Sequence, residues 1–355
     1  MSTALALKAQ RAPVLLGKRQ AEYRLLPAER MLNRCEAGSL MPFHWTVNPY
    51  RGCELGCHYC YARYTHEYLE MDGRAFERLI FVKQFRKDLF ERELRAVRAG
   101  EWIAIGTATD PYQPAERRFG VARAVLEVLA RQAGLRVAVT TKSDLAARDA
   151  ALLARLAERN ELRVNFTMTT LDASLARRLE PGAPTPDLRL RALRTLSAAG
   201  IETAVFASPV MPGINDGPGE LEHLARAARE AGAKHFGAQM LFLREPARSV
   251  FFEALRREFP RLAERYSRLY ARGSRVDAAL REALELRVAR IRQAMDFPGR
   301  GPAREAAWGQ LGLFDAPAAA PEQRAVFRLR EAALETLCQI REWRGGSCSA
   351  APARG

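Results

Sequence analysis

Between residues 102 and 243 the chain alternates short runs of β-branched and apolar residues with longer stretches in which apolar positions recur at helical spacing. WIAIGTATD (102–110) predicts a strand running into a polar loop, and VARAVLEVLARQAG (121–134) a helix stopped at Gly134. LRVAVTTKSD (135–144) and ARDAALLARLAER (147–159) repeat the pair. LRVNFTMTT (162–170) is followed by TPDLRLRALRTLSAAG (185–200), with Thr185 as the N-cap and Pro186 at the first helical position. IETAVFASPVMPGIND (201–216), GELEHLARAAREAG (219–232) and AKHFGAQMLFL (233–243) complete the series, and FHWTVNPY (43–50) predicts an earlier strand with its closing turn. A strand and a helix every ~30 residues is the pattern of parallel βαβ units. Several of these strands end in Thr, Ser, Asp or Asn, at the end where α/β barrels place their chemistry. A doubly wound sheet has the same periodicity, so the pattern leaves both architectures open.

Around this core, taken as 41–245, residues 1–40 read as basic and irregular, and 246–298 as a charged helical extension. Residues 299–321 are rich in Gly, Pro and Ala and read as a linker, 322–343 as a last amphipathic helix, and 344–355 as a disordered tail. No apolar run approaches the ~20 residues of a membrane span. The N-terminus lacks the pattern of a secretory leader. The expectation is a cytoplasmic protein with reduced thiols and no membrane partner.

Charge adds a partner class. Lys and Arg number 56 against 41 Asp and Glu, a net +15, which favours polyanions and nucleic acid first. Of the 56, six are Lys and 50 Arg, a bias that a GC-rich coding sequence also produces, so charge alone does not decide.

The chemistry concentrates in RGCELGCHYC (51–60), where Cys53, Cys57 and Cys60 fall at C-x3-C-x2-C just after the first predicted strand. Gly52 and Gly56 let the backbone fold tightly around a compact object. Structural zinc takes four protein ligands, and His58 could be the fourth; an iron–sulfur cube also usually takes four thiolates. Cys35, Cys338 and Cys348 lie far away in sequence. Three thiolates would leave one iron open to a ligand from outside the protein.

The spacing, with an aromatic residue before the third Cys, resembles the radical S-adenosylmethionine (radical SAM) enzymes. The resemblance implies a partial (β/α) barrel of about six parallel strands. It also implies a [4Fe–4S] cluster on Cys53, Cys57 and Cys60, and S-adenosylmethionine on the open iron, cleaved reductively to a 5′-deoxyadenosyl radical that abstracts hydrogen. It places Tyr59 near the adenine and implies an electron donor such as flavodoxin or ferredoxin. NPYRGCELGCHYCYAR (48–63), GTATDPYQPAE (106–116), TKSDLAARD (141–149) and PVMPGIND (209–216) are similar to the branch containing spore photoproduct lyase, over roughly residues 35–275. By that likeness Thr109 and Asp110 stand where the cofactor's amino group is held, with an Asx turn before Pro111 as the plain alternative for Asp110. Thr167 and Thr169 are candidates for the ribose or carboxylate, or are ordinary strand threonines. Lys142 and Arg148 are candidates for an anionic group, or are solvated charge. The branch's lyase carries a hydrogen-donating Cys at the end of the second strand; GTATDPY has none, leaving Tyr112 or the substrate itself as donor.

QLGLF (310–314) resembles the peptide by which bacterial polymerases and repair proteins dock on the DNA sliding clamp. Leu313 and Phe314 would fill the clamp's apolar pocket, Leu311 would add contact and Gln310 directional hydrogen bonds. Three functions follow from these readings. One is a radical SAM enzyme acting on DNA or another nucleic acid. The second is the same chemistry on a protein or small molecule. The third is a non-enzymatic iron–sulfur or zinc protein that binds nucleic acid.

Overall fold

The computed structural model describes residues 3–17, 21–35 and 43–298. The chain divides into Met1–Phe314 and Asp315–Gly355, and every described residue falls in the first part. The linker with Gln310, Leu311, Leu313 and Phe314, the helix expected at 322–343 and the tail lie outside the described residues.

In chain order the strands are β1 (Val14–Gly17), β2 (Glu22–Leu26), β3 (Leu32–Arg34), β4 (Trp45–Val47), β5 (Tyr50–Arg51), β6 (Leu79–Lys83), β7 (Trp102–Ile105), β8 (Arg136–Thr141), β9 (Glu161–Thr167), β10 (Glu202–Val210) and β11 (His235–Met240). The larger sheet runs β11-β10-β9-β8-β7-β4-β3. Its pairings from β4 to β11 are all parallel, and β3 is antiparallel at the edge. Six parallel strands therefore lie side by side in the order in which the chain makes them. A doubly wound sheet reverses its strand order at a switch point; this one does not, and the arrangement is that of a partial (β/α) barrel.

β9 and β10 are buried along almost their whole length, as strands covered on both faces must be. The helices between them present apolar stripes inward. Val121–Leu129 buries Val121, Val125, Leu126 and Leu129, and Glu220–Glu230 buries Leu221, Leu224, Ala225 and Ala228. The helix Pro186–Ala198 begins where expected, but Thr185 supplies only its backbone: its carbonyl accepts from Arg189 N–H at 3.2 Å, and its hydroxyl makes no cap. After β11 come the helices Ala247–Glu258, Ala263–Leu269 and Ala278–Ala294. The last packs on β11, with Arg292 Nε donating to Phe236 O at 2.7 Å.

The described residues before 36 form more regular structure than their sequence suggests. β1 and β2 join β5 and β6 in a second sheet, β1-β2-β6-β5, and the helix Ala4–Gln10 is capped by Thr3 Oγ1 accepting from Ala6 N–H at 3.1 Å. β2 finds its parallel partner in β6, with Leu26 opposite Lys83. The order comes from pairing across half a hundred residues, which no local periodicity reveals.

Candidate active site

The cysteine loop leaves β5 through Gly52, whose φ of +84° is left-handed; a Cβ there would stand 2.5 Å from Leu79 O. Cys53 N–H donates to Phe76 O at 2.9 Å, and Cys60 N–H to Cys57 O at 3.2 Å. Gln113, fully buried, grips the loop from the β7 side: its Nε2 donates to Gly52 O and its Oε1 accepts from Glu54 N–H, both at 3.0 Å. Arg63, also buried, donates from Nη2 to Cys57 O at 3.2 Å. From the far side, His58 N–H donates to Leu179 O at 3.1 Å. The loop is thus held by backbone and polar contacts from three directions, independently of its thiols.

All three cysteines line one cavity of about 70 Å³ that opens to solvent at its mouth. Its walls come from strand ends: Gly106–Asp110 after β7, Thr140–Lys142 at the end of β8, and Thr167 at the end of β9, with Tyr61 and Ala62 from the cysteine side. Gly106 is needed there. Its φ is +88°, and a Cβ would come within 2.5 Å of Thr140 O and 2.6 Å of Pro111 Cδ.

These residues fit an iron–sulfur cluster better than a single ion. Among the described residues no three His, Cys, Asp or Glu side chains converge as a single-metal site, yet three cysteines line one cavity. A multi-iron cluster asks for this spread, because each thiolate takes its own iron. Burial, reinforced by neighbouring negative groups, pushes the Cys53 thiol well up and Cys57 to about 12, and burial raises Cys60 too. Such thiols become thiolates only when a cationic centre replaces their protons. Backbone N–H groups of Asp110 and Ala62 point at the sulfurs of Cys53 and Cys60, the kind of donors that tune a cluster. His58, the alternative fourth ligand for zinc, lies outside the cavity lining, with Nε2 3.5 Å from Arg257 Nη2. Cys35 belongs to a separate apolar cluster with Phe43 and Trp102.

Several expected site residues have other work. Asp110 lines the cavity, but Oδ1 accepts from Thr141 Oγ1 (2.7 Å) and Tyr112 N–H (2.9 Å), and Oδ2 from Lys142 N–H (2.6 Å). The Asx turn is present, and the carboxylate also clamps the β7 loop to the end of β8. Tyr59 does not line the cavity: its phenol donates to the buried carboxylate of Glu180, because the tight turn from Cys57 to Cys60 directs it away from its neighbours. Thr167 and Thr109 do line it, Thr109 Oγ1 donating to Tyr50 O at 3.3 Å. β9 ends at Thr167, so strand alternation no longer aims Thr169, whose hydroxyl donates to Glu180 Oε1 at 3.3 Å. Arg148 is forked between the buried carboxylates of Glu116 (3.3 Å) and Asp149 (2.8 Å) and does not line the cavity. Tyr112 packs into the main core and does not line the cavity.

Glu180 and Arg189 were not evident from sequence. Glu180 is fully buried and pairs with the equally buried Arg189, which also donates to Thr167 O at 3.0 Å. Lys142 Nζ lies 3.4 Å from Glu180 Oε1 and 5.4 Å from the Tyr59 ring centre. Lys142 and Arg189 face the carboxylates of Glu180 and Asp110, two cations against two carboxylates, beside the cavity that Lys142 lines. The Pro-Gly loop after β10 is tied in by Asn215, whose Nδ2 donates to Thr169 O at 2.7 Å.

A family model described as the Radical SAM superfamily matches residues 47–228, more than half of the chain. An uncharacterized protein of Mycobacterium tuberculosis is 36% identical over 282 residues, covering 78% of this chain and 83% of that one. An uncharacterized protein of Methanocaldococcus jannaschii is 29% identical over 172 residues, covering 48% and 62%. Among solved structures, spore photoproduct lyase complexed with dinucleoside spore photoproduct superposes with a TM-score of 0.58 at 18% identity, over 78% of this chain and 80% of that one. A mutant of the same lyase with bound AdoMet and dinucleoside spore photoproduct gives 0.59 at 16%, over 82% and 87%. At such identities the structural likeness speaks for the fold. The family match carries the assignment: this chain belongs to the radical SAM superfamily, enzymes that work with a [4Fe–4S] cluster and S-adenosylmethionine.

Proposed function

We propose that the protein is a radical SAM enzyme acting on DNA or another nucleic acid, with Cys53, Cys57 and Cys60 as the cluster's protein ligands. The observation that supports this most is the meeting of three cysteines, Cys53 and Cys57 buried and Cys60 half-buried, with Lys142 in one cavity at the C-terminal ends of parallel strands. When bound, the cluster and S-adenosylmethionine supply reductive cleavage of the sulfonium and hydrogen abstraction. The chain's own part is to hold, orient and keep dry. Cys53, Cys57 and Cys60 would hold the cluster through three thiolates. Thr109, Thr167 and the Gly106–Asp110 segment form the wall that would receive the cofactor. Lys142, positioned through its backbone by Asp110, would offer its ammonium to the cofactor carboxylate, with Glu180 pairing it from behind and Arg189 holding Glu180 in place. The electron comes from a flavodoxin- or ferredoxin-like donor.

Substituting Lys142→Met is expected to leave the brown colour of the reconstituted protein intact and weaken S-adenosylmethionine binding by about ten- to a hundredfold, the worth of a charge-assisted hydrogen bond. Equilibrium dialysis of the labelled cofactor measures it, and unchanged affinity would remove Lys142 from the site.

For the substrate, the supporting facts are the net charge of +15 and the likeness to a lyase solved with a dinucleoside photoproduct. The test is retention on DNA across a salt series, followed by deuterium transfer between damaged or undamaged DNA and 5′-deoxyadenosine. Absence of binding even at low salt contradicts the nucleic-acid reading. We further propose that Gln310, Leu311, Leu313 and Phe314 dock on a DNA sliding clamp. Leu313→Ala with Phe314→Ala is expected to abolish capture by an immobilised clamp and leave cofactor cleavage unaltered; capture that survives both changes rejects this docking site.

A further inference from the structure

The short helical segment after Cys60, running from Tyr61 to Glu67, has an unusual outer face. Its inner face is ordinary: Ala62, Thr65 and His66 are buried, Thr65 Oγ1 donates to Ala62 O at 2.8 Å, and the His66 ring meets Phe76 and Phe81 edge-on. The outer face would normally be charged. Here Tyr61, Tyr64 and Tyr68 follow one another at i, i+3 and i+7. The rings of Tyr61 and Tyr64 lie 6.5 Å apart and 28° from parallel, and Tyr64 and Tyr68 meet edge-on at 5.4 Å. Tyr61 lines the cavity and its phenol donates to Thr107 O; Tyr64 is half-buried; Tyr68 is 59% exposed. Aromatic surface thus continues from the cavity wall to open solvent, with the exposed Tyr68 ring turned edge-on to Tyr64 at its outer end. Arginines flank it: Arg244 Cζ stands 6.0 Å from the Tyr64 ring centre, and Arg51 Nη1 donates to Thr65 O at 3.4 Å, between Tyr64 and Tyr68 in the chain. Glu67 and Glu70 share the segment, with Glu70 accepting the Thr3 N–H at 2.9 Å.

We infer that Tyr61, Tyr64 and Tyr68 form a stacking track on which the bases of a single-stranded or locally unpaired nucleic acid lead into the cavity, with Arg51 and Arg244 neutralising its phosphates. The inference rests on the nucleic-acid reading above and specifies how the strand is held. Every base has a π-face, so aromatic steps grip a strand without reading its sequence, and arginine beside the rings adds both charge and stacking. A target base inside a duplex cannot reach a buried cavity unless it leaves the stack, and a track of this kind gives the departing strand a surface to follow.

The test compares fluorescence anisotropy of a labelled oligothymidylate with that of an abasic strand of equal length and charge, using the reconstituted holoenzyme. Wild type is expected to bind the oligothymidylate more tightly than the abasic strand. Tyr68→Ala is expected to weaken oligothymidylate binding about tenfold without altering the abasic strand, and Tyr68→Phe to retain wild-type affinity. Arg244→Ala is expected to weaken both strands and reduce the salt slope by about one. Because Tyr68 is exposed, its variants should melt at the wild-type temperature. If wild type binds both strands equally, or Tyr68→Ala and Tyr64→Ala bind oligothymidylate as wild type does, the track is overturned while nucleic-acid binding stands. If wild type binds neither strand at low salt, the substrate reading itself falls.

Discussion

Cys57→Ala is expected to lose the cluster and all cofactor cleavage, a fall of more than about a thousandfold to background, in a protein that stays folded. Both halves of that statement come from the geometry. Cys57 is buried in the cavity wall, where no other described thiol can replace it. Yet the loop's shape depends on Gly52, Gln113, Arg63 and backbone hydrogen bonds to Phe76 and Leu179, none of which involve sulfur. Ligands that act as a unit are non-additive. Cys53→Ala and Cys60→Ala should therefore each lose as much as Cys57→Ala, and the triple variant no more. Circular dichroism, iron content and 5′-deoxyadenosine yield, measured on the same samples, check the prediction. A single variant that keeps iron and activity would mean that the cavity is not the cluster site.

Glu180→Ala is expected to be the most destabilising single change near the cavity, by about 3–5 kcal/mol, because it strands the buried guanidinium of Arg189 without a counter-charge. That is a large share of a typical ~5–15 kcal/mol. Glu180→Ala with Arg189→Met should recover most of the loss, since the cost lies in the orphaned charge. Urea unfolding at neutral pH measures all three proteins; equal stability of Glu180→Ala and wild type would refute the pairing. The same pair sets an acid limit. Burial pushes the Glu180 carboxyl up, but Arg189, Lys142 and the hydrogen bonds outweigh it and hold the group at about 2, below its usual 4.5. A carboxyl depressed in the folded state stabilises fully above its unfolded value and loses that contribution as pH falls. The loss should run from about pH 4.5 down to about pH 2 and amount to roughly 3 kcal/mol. In Glu180→Gln this part of the acid dependence should be missing.

The parts of the fold legible in the sequence were those whose signal is local. The strands and helices from 102 to 243 announce themselves by periodicity, because each buries a continuous stripe. The choice between barrel and doubly wound sheet was not legible, since it depends on strand order and not on any one strand. β1, β2 and β6 were missed because their stability lies in pairings between distant segments. The three cysteines stood out by spacing, a property of sequence. Where Tyr59 and Thr169 point is set by a turn and by a strand's last residue, and both moved from the cavity to Glu180. The Glu180–Arg189 pair had no chance of being noticed: in a chain with 50 arginines, one more nine residues from a glutamate carries no signal until both are seen to be buried.

The central claim is that three protein thiolates leave one iron of the cluster for S-adenosylmethionine. The most direct measurement is a Mössbauer spectrum of the anaerobically reconstituted protein before and after adding the cofactor. The account predicts that about a quarter of the iron signal shifts on addition while the rest stays put. A spectrum indifferent to S-adenosylmethionine, or a protein that takes up zinc and no iron, would contradict it.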